Sequence, residues 1–363
     1  MSSRDAQGCL ICEIGIASGG CGGDARRMHA FLPGAGLGTR LRPITDELPK
    51  PLVPLFHRPL VEHALDACLG AGAECFAVNT HHLPGAWAPR FPTVEGAAAV
   101  RGENGEAARH SEWRGRPLAF FHEPVLLETG GGVRNVAPWF EGGDLLLVHN
   151  ADIFSTMDLG RLVSAHRASG LPVTLALRSH GPGPNVSVDS AAAKVLDLRG
   201  LLGRGTPDHQ FTGIYCTGPE LFGLIAPGDV VSAVFAFVAL AEEGRLGCVV
   251  LDDGAWMDLG DPAALLDAHL SPPAEPGVPR IHPQASIDPA AEVDAESWAG
   301  PGAAVPAGTS LRRCLVFPGA DVAPGEHERE VLWGDGVGVK VHPTRSPMEP
   351  KPGVKSRRNM RTA

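Results

Sequence analysis

From Met28 onward the chain alternates short apolar runs with amphipathic stretches, the order produced by strand–helix–strand units around a mostly parallel sheet. HAFLP (29–33), CFAVNT (75–80), LAFFHE (118–123), DLLLVHNAD (144–152) and PVTLALR (172–178) are short and apolar, which predicts strands. PLVEHALDACLGAG (59–72) and MDLGRLVSAHRASG (157–170) carry apolar residues at helical spacing and end on glycine, which predicts helices. A polar hairpin near 185–200, a strand QFTGIYCT (210–217) and an apolar helix from about 229 to 243 follow. CVVLDDGAWMDLGDPAALLDAHL (248–270) then predicts a strand, a loop and a final helix. The expected class is α/β, a Rossmann-like, mostly parallel sheet flanked by helices over residues 28–270.

The proline-rich stretch SPPAEPGVP predicts a linker over 271–280. Beyond it the period changes. Ile281, Ile287, Val293, Ala299, Val305 and Leu311 recur every six residues, and Val316 and Val322 continue after a one-residue slip. One small aliphatic residue per short flank is the register of a hexapeptide left-handed parallel β-helix, expected over 281–339. At about eighteen residues per coil this supplies about three coils, near the minimum for a stable stack. The alternative is an Ala/Pro-rich linker with an accidental period. Residues 1–27 lack a sustained apolar period, and LICEIGI is too brief for a secretory segment. They predict a disordered N-terminal extension with Met28 as the natural start, and the basic tail over 340–363 is expected to be disordered as well.

Composition narrows the function classes. The 363 residues carry a formal net charge of −10, with 44% hydrophobic and 20% charged residues, a globular balance with ample core-forming material. The 46 glycines and 33 prolines belong in turns, linkers or a turn-built repeat. No run approaches the roughly 18 apolar residues of a membrane span. Net acidity runs against a nucleic-acid surface, which needs clustered Lys and Arg. Neither nucleic acid nor membrane is therefore expected as a partner. Eight scattered cysteines lack the spacing of a disulfide framework and predict a reducing, cytoplasmic setting. Cys9, Cys12 and Cys21 form a CxxC with one more sulfur, yet the next candidate ligand, His29, falls inside the first predicted strand, so no zinc site is expected.

Candidate chemistry concentrates in the loop after the first strand, PGAGLGTRLRP (33–43). Gly34, Gly36 and Gly38 permit positive φ and close approach, so successive N–H groups can converge on an anion such as a triphosphate. A dinucleotide-binding turn would open directly into a helix; here Thr39, Arg40, Leu41 and Arg42 lead to Pro43, which obstructs one. LPKPLVPL (48–55) fixes Lys50 between Pro49 and Pro51, which predicts presentation from a stiff extended segment. Lys50 and Lys194 are the only lysines before residue 340. Alone, Lys50 reads as a solvated loop lysine; beside the glycine loop it reads as a point charge for a phosphate. Lys194, in the predicted hairpin, keeps the solvated reading. Asp152 and Asp258 stand at predicted strand or loop ends. Either alone is an ordinary cap or turn former, and together they suit Mg²⁺, which needs one or two carboxylates plus phosphate oxygens. LETGGG (127–132) supplies a second glycine-rich crossing against which a flat base can lie. His81 and His82 read as loop structure rather than ligands.

Taken in order, GAGLGTRLRPIT, PKPLVPL, VNTHHL, HEPVLLETGGG, VHNADI, FTGIY and WMDLGDP resemble the sugar-1-phosphate nucleotidyltransferases, the nucleotide-sugar pyrophosphorylases, over about Met28 to Leu270. LETGGG and VHNAD are most similar to the N-acetylmuramate-1-phosphate uridylyltransferases and the mannose-1-phosphate guanylyltransferase-like group, and the hexapeptide tail is similar to those of bifunctional or guanylyl-transferring members. The resemblance implies transfer from an NTP to a sugar 1-phosphate with Mg²⁺, giving an NDP-sugar for cell-envelope polysaccharide and pyrophosphate. The implied pairs are UTP with N-acetylmuramate 1-phosphate or GTP with mannose 1-phosphate. It implies that Arg40 and the loop Gly34, Ala35, Gly36, Leu37, Gly38, Thr39 hold the triphosphate, with Lys50 beside the phosphates in flight. It further implies that Asp152 and Asp258 hold Mg²⁺, that Glu128, Thr129, Gly130 and Gly131 line the base pocket, and that Asn150 and Gly213 lie against the sugar.

The family often carries a Val-Glu-Lys-Pro segment at the sugar; here the stretch is LDLRGLLGRG, and Asn185 of GPNVSVD is the expected substitute contact. Glu128 stands where many relatives have glycine, and it contacts base or ribose or caps a loop. The competing expectation is a catalytically silent nucleotide-sugar-binding regulatory or assembly subunit, opposed by the intact set of Arg40, Lys50, Asp152 and Asp258. For the C-terminal repeat a structural or homo-oligomer-forming role is expected rather than acyl transfer.

Overall fold

The computed structural model describes residues 27–342 apart from Ala98 and residues 272–276. The expected N-terminal extension up to residue 26, with Cys9, Cys12 and Cys21, the middle of the expected linker, and the tail beyond residue 342 lie outside the described residues.

The central sheet has ten strands: β1 (Met28–Pro33), β2 (Cys75–Thr80), β3 (Arg109–Trp113), β4 (Arg116–His122), β5 (Leu145–His149), β6 (Val173–Arg178), β7 (Val186–Asp189), β8 (Lys194–Leu198), β9 (Gln210–Thr217) and β10 (Leu246–Val250). Their spatial order is β7-β8-β10-β6-β9-β5-β1-β2-β4-β3. β3, β8 and β9 run against the others, so the sheet is mostly parallel. β2 and β5 are buried along their whole length and β1 nearly so, as strands covered on both faces must be. Among the described residues five helices have eight residues or more: α1 (Leu60–Gly70), α2 (Glu128–Asn135), α3 (Leu159–Ser169) and α4 (Ala233–Glu242) against the sheet, and α5 (Pro262–Leu270), whose Leu265 and Leu266 join the apolar cluster of the C-terminal strands. Their ends follow local chemistry. Asp158 accepts from Arg161 N–H at the start of α3, Gly170 closes it at φ +62°, and Asp261 accepts from Ala264 N–H ahead of α5 with Pro262 at its first position.

Two elements depart from the sequence expectation. β3 is half-polar and carries no apolar run to mark it. LETGGG is not a flat crossing but the start of α2. A separate two-stranded ribbon, Ile153–Ser155 against Trp256–Asp258, pairs Asp258 with Ile153 and so brings the VHNAD and WMDLGDP motifs together.

C-terminal to α5, short strands stack in parallel ladders. Residues eighteen apart pair first, Ser286 with Ala304 and Glu292 with Ser310, then seventeen apart, Trp298 with Leu315, which is the one-residue slip of the sequence period. All eight period residues meet in one apolar cluster, with Ala299, Val305, Leu311, Val316 and Val322 buried and Ile281, Ile287 and Val293 partly so. A second apolar cluster joins this stack to the α/β part: Trp298, Leu315, Phe317, Val331 and Trp333 pack with Leu41, Val53, Phe56, Phe154, Leu259 and Leu266. His269 sits in the joint. Its Nε2 accepts from Phe56 N–H at 3.1 Å, its carbonyl accepts from Trp298 Nε1–H at 2.7 Å, and burial pushes its pKa down to about 4. Among the described residues no helix is long and apolar enough to cross a membrane.

Candidate active site

A cleft of about 410 Å³ opens at the carboxyl ends of β1, β2 and β5, where ligands of open α/β sheets bind. The loop after β1 forms one wall. Gly34 N–H donates to Asn79 Oδ1 at 2.6 Å, Thr45 Oγ1 donates to Gly38 O at 2.9 Å, and Gly38 takes φ +62°, where a Cβ would press on Thr45. A single 3₁₀ turn, Thr39–Leu41, replaces the helix that Pro43 precludes. Among the described residues no partner within the chain takes the N–H of Gly36, Leu37 or Gly38. All the expected nucleotide residues line the cleft except Leu37, whose side chain faces solvent, and Gly130 and Gly131.

Lys50 departs from its expected setting. Pro49 and Pro51 hold it in a 3₁₀ turn, Lys50–Leu52, rather than an extended segment, and its side chain is 7% exposed. The turn closes through Leu52 N–H to Pro49 O at 2.8 Å and Val53 N–H to Lys50 O at 3.0 Å. The buried ammonium donates to Asp152 Oδ2 at 2.7 Å and Asp258 Oδ1 at 3.4 Å. Arg40 reaches the other Asp258 oxygen at 3.8 Å from a side chain 70% exposed. Its guanidinium lies flat over Gly260, where a Cβ would come within 2.8 Å of it. Two carboxylates and two cations from four distant segments thus converge on one spot. The donor set suits a hard divalent cation: the carboxylates already reach one common cationic point, and Mg²⁺ completes its shell with water and phosphate oxygens. Among the described residues no group of three or more His, Cys, Asp and Glu gathers as a fuller cage.

Gly130 and Gly131 serve packing. Both N–H groups donate to Val231 O, at 2.8 and 3.1 Å, and a Cβ on Gly131 would stand 2.1 Å from Asp229 O. α2 therefore lies against the segment leading into α4, and only Glu128 and Thr129 at its start face the cleft. Glu128 takes φ +60°.

A second cavity of about 280 Å³ shares Thr129, Asn150 and Ser232 with the first, and Asp258 lies on its lining. The three residues expected at the sugar, Asn150, Asn185 and Gly213, line it together. Gly213, at φ +77° in a bulge of β9, allows Asn150 in: a Cβ there would be 2.7 Å from Asn150 Nδ2. Asn185 Oδ1 accepts from Phe211 N–H at 3.0 Å, which holds the side chain in the lining. His81 and His82 bond to the carbonyls of Glu123 and Thr45, each at 2.7 Å, as loop structure does.

Sequence reasoning gave no role to Asn79 or Glu123. Glu123 is wholly buried, and desolvation raises its pKa against the opposing hydrogen bonds from Asn79 and Leu127. The only sequence signal was their presence inside VNTHHL and HEPVLLETGGG.

An α/β domain with an open cleft at the carboxyl ends of its central strands is what this geometry defines, and residues 31–183 match the family described as Nucleotidyl transferase. Mannose-1-phosphate guanylyltransferase of Mycobacterium tuberculosis is 29% identical over 311 residues, covering 80% of each chain. N-acetylmuramate alpha-1-phosphate uridylyltransferase of Caulobacter vibrioides is 29% identical over 247 residues, covering 66% of this chain and 94% of that protein. Residues 31–183 carry a Nucleotidyl transferase domain, and over most of its length the chain is similar to sugar-1-phosphate nucleotidyltransferases. In fold it is similar to a UDP-glucose pyrophosphorylase from Acinetobacter baumanii, with a TM-score of 0.54 at 17% identity over 68% of this chain and 95% of that one.

Proposed function

We propose that this chain transfers a nucleotidyl group from an NTP to a sugar 1-phosphate, releasing pyrophosphate and an NDP-sugar for cell-envelope polysaccharide. The observation that carries this is the buried Lys50 ammonium between Asp152 and Asp258 where two connected cavities meet, with Arg40 on the rim. Two polyanions must be brought together there, and positive potential with in-line alignment is what the uncatalysed reaction lacks.

A sugar-phosphate oxygen forms the new bond to the α-phosphorus as the bond to pyrophosphate breaks. That oxygen is anionic at pH 7, so no general base is required. The amides of Gly36 to Thr39 and the Arg40 guanidinium hold the triphosphate, and Lys50 meets the phosphates in flight. Each such contact in a low-dielectric cleft contributes about 2–4 kcal/mol of barrier reduction. Asp152 and Asp258 would hold Mg²⁺, whose contribution is further positive charge on the reacting phosphates. Glu128 and Thr129 face the base end; Asn150, Asn185 and Gly213 face the sugar.

The nucleotide and sugar are UTP with N-acetylmuramate 1-phosphate or GTP with mannose 1-phosphate, the pairs that the relatives' names support. We read residues 28–270 as the catalytic domain and the ladders over 281–339 as a short left-handed β-helix, a structural and oligomer-forming element. Buried free thiols at Cys68, Cys216, Cys248 and Cys314 support a reducing, cytoplasmic setting.

Pyrophosphate release with a panel of NTPs and sugar 1-phosphates tests the proposal. Turnover with one pair, lost on chelating Mg²⁺, is the expected result. NTP binding without release from any pair would instead identify a silent assembly subunit.

A further inference from the structure

We infer that Asn79 and Glu123 form a buried latch that holds the two walls of the nucleotide cavity in register, which makes Glu123 a positioning residue for the NTP. This rests on the transferase reading above. Asn79 lies on β2, and Glu123 directly follows β4, the neighbouring strand of the sheet. Asn79 Oδ1 accepts from Gly34 N–H at 2.6 Å, and its Nδ2 donates to Glu123 Oε1 at 2.7 Å. Glu123 Oε2 accepts from Leu127 N–H at 3.0 Å. Gly34 opens the phosphate loop, and Leu127 directly precedes Glu128, the first residue of α2. One relay of three hydrogen bonds therefore spans the cavity floor from one wall to the other.

Its polarity is fixed at both ends. Backbone N–H groups only donate, so Asn79 must turn its oxygen to Gly34 and its nitrogen to Glu123, while Glu123 must accept from both sides. Only an ionised or acceptor-only group at 123 meets both demands. Gly132 leaves the relay its space, since a Cβ there would stand 2.6 Å from Asn79 Nδ2 and 3.1 Å from Glu123 Oε1. Among the described residues no Lys or Arg pairs with this fully buried carboxylate, an arrangement costly to stability. What it secures is the relative position of Gly34 and Glu128, both of which line the nucleotide cavity and neither of which lines the sugar-side cavity.

An amide–carboxylate exchange between the two positions on the full chain tests the latch. Asn79→Asp keeps the acceptor for Gly34 but sets two carboxylates face to face. Glu123→Gln leaves a donor facing a donor. The double variant reverses the relay: the new Gln Nε2 donates to the new Asp Oδ2 while Gln Oε1 still accepts from Leu127. Each single change is expected to raise KM for the NTP about tenfold, with KM for the sugar 1-phosphate unchanged and circular dichroism intact, and the double variant to return within about threefold of wild type. Single variants with an unaltered NTP KM, an equal rise in both KM values, or a double variant no better than its worse parent would overturn the latch. Where a single variant does not fold, the double variant decides: an NTP KM within about threefold of wild type supports the latch, and anything above it overturns it. A wild-type chain that turns over no substrate pair sinks the transferase reading instead, a result distinct from every variant outcome.

Discussion

The glycine loop at 34–38 and the glycine triplet at 130–132 look alike in sequence, yet they make room for different things. A Cβ on Gly36 meets nothing within 4 Å, whereas one on Gly131 meets the backbone oxygen of Asp229 at 2.1 Å. The amides of Gly36 and Gly38 have no partner among the described residues; those of Gly130 and Gly131 both end on Val231 O. Gly36 leaves open space on the side of the proposed phosphate site, and Gly130 and Gly131 let two segments of the chain touch. Which of the two a glycine serves depends on residues 229–233, about a hundred positions from the triplet, and no local pattern carries that information.

Four substitutions sharpen or break this contrast. Gly131→Ala is expected to have the largest effect, driving a methyl into backbone that cannot yield and leaving little folded protein by circular dichroism and thermal melting. Lys50→Met, behind the open loop, removes the shared partner of two carboxylates. Turnover is expected to fall about a thousandfold or more, with a lowered melting temperature, measured by pyrophosphate release and calorimetry. Arg40→Ala touches only the rim, so turnover should fall roughly a hundredfold while the melting temperature holds. Gly36→Ala is the smallest: stability is expected within about 1 kcal/mol of wild type and turnover within a few-fold, because open space surrounds the site. If Gly36→Ala unfolded the chain as Gly131→Ala should, the distinction between the two stretches would not stand.

Much of the frame was legible because it rests on short-range pattern. Buried strands such as β5 carry short apolar runs, LLLV at 145–148, and the six-residue period past residue 280 marks the residues that cluster inside the stacked strands, slip included. The pairing of Asp152 with Asp258 near Lys50 was anticipated from motif order, and the antiparallel ribbon beside them supplies its cause. The illegible parts are those fixed by partners remote in sequence. Two prolines restrict Lys50 equally well in a strand or in a tight turn, and the local sequence does not choose between them; the turn seats Val53 in a buried apolar cluster. α2 was hidden because three consecutive glycines disfavour a helix in isolation, and close packing against residues 229–233 overrides that preference. Asn79 and Glu123 are ordinary polar residues until the sheet order puts their strands side by side.

The apolar cluster between the two parts of the chain has a practical corollary. Leu41, Val53, Phe154 and Leu259 each lie within three residues of Arg40, Lys50, Asp152 or Asp258, and all four belong to the apolar cluster that contains Trp298, Leu315 and Phe317. The stacked strands thus share an apolar cluster with the neighbours of Arg40, Lys50, Asp152 and Asp258. Cutting the chain after Leu270 would not free a self-sufficient cassette, and sequence drift in the stacked strands would register as lost turnover although the lining of neither cavity reaches past Gly260.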